Sequence, residues 1–220
     1  MALLYPSQEN LNRLTVKLTP GEQHLVNFLV KNLDDSYEIY VQPFINGDHP
    51  DIVLMRKESG VMIIEVKDWN ISNYKVDSKL KWYFKDSLTR SPIDQVLRYK
   101  ENLYNLHVED LLELNIKEPK HWGIVTCAVY FYTATTQNLK NLVQKNANEK
   151  QKKFLNFIDL IGNDGLTKEY FISILAKRRL DRKSYFFTKK LYDSLKIFLQ
   201  PPLHTLEQGN PFNYTREQSE

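Results

Sequence analysis

The chain has a single cysteine, Cys127, in 220 residues, which excludes an intramolecular disulfide and a cysteine-ligated zinc site. Its five histidines are scattered without metal-ligand spacing; only His49, two residues before Asp51, invites further interest. No apolar run approaches the ~20 residues that a membrane span needs. The N-terminus also lacks the charged-then-apolar pattern of a secretory signal, so a cytoplasmic protein with no membrane partner is the default expectation. Neither sign of charge dominates: 30 Lys and Arg against 27 Asp and Glu leave +3, too little to argue for nucleic acid by itself. A Gly-x-x-x-x-Gly-Lys-Ser/Thr phosphate loop is missing, so ATP hydrolysis is not expected, and no internal repeat is visible. What is present, 42% hydrophobic and 26% charged residues, belongs to a soluble globular chain large enough for one good-sized core. Cys127 lies in an apolar run and reads as buried and inert.

The informative stretch runs from residue 47 to residue 70. Asp51-Ile52-Val53-Leu54-Met55-Arg56 and Val61-Met62-Ile63-Ile64-Glu65-Val66-Lys67 have strand composition, and Lys57-Glu58-Ser59-Gly60 between them supplies turn residues at hairpin length. A turn centred near Ser59 puts Asp51 opposite or diagonal to Glu65 and Lys67, which share one face because strand side chains alternate. Two facing carboxylates make an oxygen-rich pocket for a hard divalent cation, and a neighbouring ammonium can hold an attacking water. That combination suits metal-assisted phosphodiester hydrolysis. A solvent-facing Glu-x-Lys ion pair is the ordinary alternative. It is disfavoured because four apolar residues lead into Glu65, so the charges end a core strand.

Around this hairpin the chain reads as follows. Residues 1–18 form an arm with some strand character. Thr19-Pro20-Gly21-Glu22 starts a helix, with Thr19 as N-cap and Glu22 completing a capping box. Leu25, Phe28, Leu29 and Leu33 give that helix its apolar face. Residues 37–42 alternate as a strand, and Pro43, Asn46 and Gly47 mark the bend into the hairpin. Residues 71–84 contain one short strand at 81–84, in which Trp82 suits packing better than base stacking. Ser91 caps a second helix that opens on Pro92; Val96, Tyr99, Leu103 and Leu106 are its buried stripe. Residues 124–131 suit a central strand buried on both faces. A loop and polar helix at 137–153, a strand at 154–160, a turn at 162–165 and helices at 166–177 and 184–199 complete the chain. The cationic run Lys177-Arg178-Arg179-Leu180-Asp181-Arg182-Lys183 between those helices reads equally as a phosphate-binding patch or a solvated loop. The divisions are therefore an arm at 1–18, a core at 19–133, an extension of the same domain at 134–200 and a linker at 201–220.

Pro50-Asp51, thirteen residues and then Glu65-Val66-Lys67 resembles the PD-(D/E)xK nuclease signature. The wording Ile63-Ile64-Glu65-Val66-Lys67-Asp68-Trp69 is similar to the NERD, or nuclease-related, domain of that superfamily. The resemblance spans residues 19–132 and implies an α/β restriction-endonuclease-like core, a mixed central sheet flanked by helices, with C-terminal helices added. It also implies DNA as substrate, cleaved with Mg²⁺ or Mn²⁺. Asp51 and Glu65 would bind the metal with the Val66 carbonyl completing the shell, and Lys67 would position the water. Glu22 either caps its own helix only or matches the first-helix glutamate beside the metal. Gln95 and Tyr99 match a Gln-x-x-x-Tyr pattern whose glutamine reaches the catalytic centre or the DNA backbone. Arg98 and Lys100 are candidates for backbone contacts, or simply solvated charges. Asn210-Pro211-Phe212-Asn213-Tyr214-Thr215-Arg216-Glu217-Gln218 resembles the approach to the adenine-reading glutamine of UvrD-like helicases. NERD domains are often fused to such motors, so a helicase domain in the same polypeptide, serving DNA repair or defence against foreign DNA, is the expected partner. The competing expectation is a catalytically silent DNA-binding or docking module for that motor.

Overall fold

The computed structural model describes residues 1–14, 16–45, 47–105 and 119–199. Six strands form the central sheet in the order β1-β2-β3-β4-β8-β9. They are β1 (Leu3–Tyr5), β2 (Tyr37–Val41), β3 (Ile52–Arg56), β4 (Gly60–Lys67), β8 (Val125–Phe131) and β9 (Ile158–Gly162). The sheet is mixed: β2, β3 and β4 form an antiparallel meander, whereas β1 runs parallel to β2 and β8 and β9 continue parallel to β4. β2, β8 and β9 are buried at every position, as strands covered on both faces must be.

Alternation along the strands divides the apolar residues into two layers. Val53, Met55, Val61, Ile63, Val125, Cys127 and Val129 face one cluster, whereas Ile39, Val41, Leu54, Met62, Ile64 and Tyr130 face the other. Over the first layer lie α3 (Pro92–Asn105), α4 (Thr136–Gln144), α5 (Glu149–Leu155) and α7 (Lys189–Leu199). The second is covered by α1 (Gln8–Arg13), α2 (Pro20–Asn32) and α6 (Lys168–Lys177). The architecture is thus a mixed α/β sandwich, as the sequence implied. None of the described helices is long and apolar enough to cross a membrane.

Several local expectations shift. The N-terminal arm supplies an edge strand and the short helix α1. The single strand expected at 81–84 belongs to a three-stranded antiparallel sheet of β5 (Tyr74–Val76), β6 (Trp82–Phe84) and β7 (Ser87–Thr89). The strand expected at 154–160 begins later, because residues 149–155 continue as α5 behind an Asn148 cap. The cationic run is largely neutralised: Lys177 and Arg178 bind Asp159, Arg182 binds Asp181 and Lys183 binds Glu58. Leu106, Asn46 and the stretch 201–220, with its helicase-like motif, lie outside the described residues.

Candidate active site

The hairpin sets the register. Arg56 pairs with Gly60 and Ile52 with Ile64, so Lys57, Glu58 and Ser59 form a three-residue loop with Glu58 in the left-handed region at φ 59°. The turn is centred one residue earlier than Ser59, and continuing the ladder puts Asp51 directly opposite Glu65 and diagonal to Lys67. Gly60 is required at the loop's end because a Cβ there would lie 2.6 Å from the Ile124 carbonyl oxygen.

Asp51 is fixed by the backbone it faces, its Oδ2 accepting the Val66 N–H at 2.6 Å. In a regular ladder that amide would bond the carbonyl of residue 50, and the amide of residue 50 would answer the Val66 carbonyl. Pro50 has no amide hydrogen to give, which leaves that carbonyl free of a ladder donor beside Asp51. Glu65 is almost wholly buried at 1% exposure. Its Oε1 pairs with the Lys67 ammonium, whereas its Oε2 is buried without any donor. Lys67 is held from its other side by the Trp69 ring, 5.3 Å from Nζ to centroid, and Trp69 is itself stacked on Tyr74 at 4.5 Å.

Burial and repulsion by Glu65 push the Asp51 carboxyl up to about 8. Glu65 is likewise raised by burial, against the pull of Lys67 and the field of Arg90. Two acids in one dry pocket resist ionising together unless a positive charge joins them. An orphaned oxygen, a fixed carboxylate and a carbonyl to which Pro50 can donate nothing would suit a hard cation that keeps some of its waters. Among the described residues no three His, Cys, Asp or Glu side chains group closely enough to hold a metal by side chains alone, so waters and the Val66 carbonyl would have to complete such a shell.

Glu22 caps its own helix and is held by a second partner. The capping box forms, with the Thr19 N–H donating to Oε2 at 2.7 Å, and Gln42 Nε2 donates to Oε1 at 2.9 Å. The negative charge of Glu22 adds a small upward push to the Asp51 pKa. Both Glu22 oxygens are therefore already engaged. Gln95, in the first turn of α3, donates from Nε2 to the Tyr99 hydroxyl at 2.7 Å. Tyr99 is buried in the first layer, and burial first, then the charges of Glu65 and Asp51, push its hydroxyl up.

One of the two expected backbone contacts, Lys100, needs correction. Lys100 is only 7% exposed and its ammonium sits 4.2 Å from the Trp122 ring centroid, where burial pulls its ionisation down to about 8. It packs inside and is not presented to a ligand. Arg98 is exposed but spends its guanidinium on the buried Asp48, at 2.7 Å, which also takes a hydrogen bond from Asn102. His49 is exposed against Phe44, and Trp82, 1% exposed and stacked on Phe131, is packing. Sequence reasoning missed Arg90, an exposed cation ahead of the Ser91 cap whose field reaches both Glu65 and Tyr99. Its only sequence signal was its place beside the helix that carries Gln95.

A family model described as the nuclease-related domain, NERD, matches residues 17–132. A search of curated proteins returned no match. Among solved structures, a repair endonuclease from Pyrococcus abyssi is similar at 14% identity and a TM-score of 0.34, over 67% of this chain and 49% of that one. The chain thus spans about half the length of that endonuclease.

Proposed function

From the premise that this chain belongs to the nuclease-related domain family, we propose that it hydrolyses DNA phosphodiester bonds with a divalent cation, Mg²⁺ or Mn²⁺, at the PD-(D/E)xK-type site formed by Asp51, Glu65 and Lys67. The observation that carries the reading is the acid pair of part-buried Asp51 and buried Glu65, with one Glu65 oxygen left without a donor beside a tethered lysine. Asp51, Glu65 and the Val66 carbonyl would hold the cation. That cation would supply a bound water of lowered pKa and positive charge against the phosphoryl oxygens. Lys67, steadied between Glu65 and the Trp69 ring, orients the attacking water and adds charge where the transition state becomes negative. The Val66 N–H keeps Asp51 in one rotamer. Gln95 and Arg90 meet the phosphates on the α3 side, near the positive end of that helix. A nuclease module of this kind suits service to a helicase in repair or defence.

The test is cleavage of single- and double-stranded DNA with Mn²⁺ by the wild-type chain, Asp51→Ala and Lys67→Ala. Both substitutions should lower the rate about a hundredfold or more while the variants melt cooperatively. Equal rates in all three proteins would remove the proposal. DNA binding without cleavage by the wild type would favour the silent docking module instead.

A further inference from the structure

The end of β4 sends side chains both ways: Glu65 and Lys67 go to the acid pair, and Asp68 to the opposite face, against the start of α2. There Asp68 Oδ2 accepts the Gly21 N–H at 3.2 Å, a contact across 47 residues of sequence. Its Oδ1 is buried without a donor. The approach is one only glycine permits, since a Cβ on residue 21 would lie 2.0 Å from Oδ1 and 3.0 Å from both Val66 Cγ1 and Tyr132 Cβ. α2 does not need Asp68 as a cap, because Thr19 and Glu22 already form the complete box. A carboxylate kept here at the cost of one unsatisfied oxygen calls for another reason. The next residue along the helix is Glu22, which is tied to Asp51 through Gln42: the Gln42 side-chain amide donates to Glu22 Oε1 at 2.9 Å and its backbone N–H to the Asp51 carbonyl at 2.8 Å.

We propose that Asp68 is a positioning residue: it staples the first turn of α2 to the strand that carries Glu65 and Lys67, and so sets the distance between Glu22 and Asp51. The inference rests on the metal-site reading above. Glu65 and Lys67 at the end of β4, and Asp68 just past it, thereby fix both halves of the site. Two of them act at the acid pair, and the third acts through the helix on the far face.

The experiment is a Mn²⁺ titration followed by the EPR signal of the free ion, on the wild-type chain, Asp68→Ala, Asp68→Asn, Glu22→Gln and Asp68→Ala/Glu22→Gln, with melting curves for each. Asp68→Ala should weaken Mn²⁺ binding about five- to tenfold, a loss typical for an outer partner of a metal ligand, and Asp68→Asn, which keeps an acceptor for the Gly21 N–H, should restore most of it. The double variant should bind no more weakly than the weaker single one, because both changes remove one interaction. Losses that add, or wild-type affinity in Asp68→Ala, overturn the inference. Should Asp68→Ala melt below the working temperature, Gly21→Ala carries the same comparison, breaking the contact from the helix side without touching a charge. Asp51→Asn tells the two readings apart: if it binds Mn²⁺ as tightly as the wild type, the acid pair is not the metal site.

Discussion

Asp51 and Glu65 stand where apolar strands end, and their chemistry follows from having too little water and one another's charge. Asp51 ionises at about 8 in the folded chain against 3.8 in an exposed one. Folding therefore favours the protonated acid: the stability this gives is fully present below about pH 3.8 and is lost as pH rises to about 8. The metal-free protein should lose melting temperature across that interval, by a stability change on the order of a few kcal/mol, and Asp51→Asn should flatten the decline; an unchanged slope in the variant would assign the loss elsewhere. Because protons and cation compete for the same oxygens, Mn²⁺ should raise the melting temperature more at pH 8 than at pH 6. Arg90 is exposed, so the part proposed for it at the phosphates is one of charge alone. Arg90→Ala should weaken DNA binding and lower the salt-dependence slope by about one, which binding isotherms at several salt concentrations will read. The acid pair was legible in the sequence because its spacing around a hairpin turn leaves few registers. Lys100 was legible too, had the helical period been applied strictly: with Val96, Tyr99 and Leu103 it falls on the i, i+3, i+4, i+7 stripe that faces the core. Arg90 was not legible, since its nearness to Glu65 depends on how the β5–β7 sheet returns the chain to α3.

At the scale of elements, local signals located what lies close in sequence. Thr19 and Ser91 cap their helices as expected, with Glu22 N–H donating to Thr19 Oγ1 and Asp94 N–H to Ser91 Oγ. The turn was placed one residue late because Gly60 was read as part of the loop, whereas it pairs with Arg56 as the first residue of β4. β9 was misplaced at its start for a related reason: Phe154 and Leu155 are apolar, but the Asn148 cap with its Gln151 partner extends a helix through them. What no local pattern reveals is close approach between elements, and Gly162 is the sharpest instance. A Cβ there would lie 2.2 Å from Thr136 N and 2.4 Å from Ala134 O, where the Gly162 N–H donates to Thr136 Oγ1 and Asp164 receives that hydroxyl. Gly162→Ala should cost about 2–3 kcal/mol, or roughly 5–10 °C in melting temperature for a chain of this size. Gly123→Ala, with nothing within 4 Å of the new methyl, is the matched control; equal melting temperatures for the two variants would refute the close-approach argument.

The whole molecule is larger than the segment that the family match covers. Residues 17–132 contain β2, β3, β4 and β8 but neither β1 nor β9, which flank them in the sheet. They also leave out α4, α5 and α7, whose Leu139, Val143, Leu155, Leu191, Leu195 and Leu199 complete the first core layer. Glu38 makes the dependence specific. It is 4% exposed on β2, and three hydrogen bonds satisfy it: Tyr40 within the segment, and Tyr192 and Lys196 from α7 more than 150 residues along the chain. Removing the last two leaves a buried carboxylate without its cation, a loss of about 3–5 kcal/mol, in addition to the apolar faces laid open. The loop before α7 also grips the hairpin turn that sets the site's register, through Ser184 N–H to Glu58 O at 2.6 Å and Arg56 Nη1 to Leu180 O at 3.3 Å. A fragment of residues 17–132 should therefore show no cooperative melting and no Mn²⁺-dependent cleavage, whereas residues 1–200 should retain both. Lys196→Met in the full chain tests the charge, because it keeps an unbranched side chain and withdraws the ammonium that bonds Glu38 and lies over the Tyr5 and Tyr192 rings. Its melting temperature should fall clearly below that of the wild type. A cooperative fold in the 17–132 fragment would show instead that the outer strands and α7 are additions to a core that stands without them.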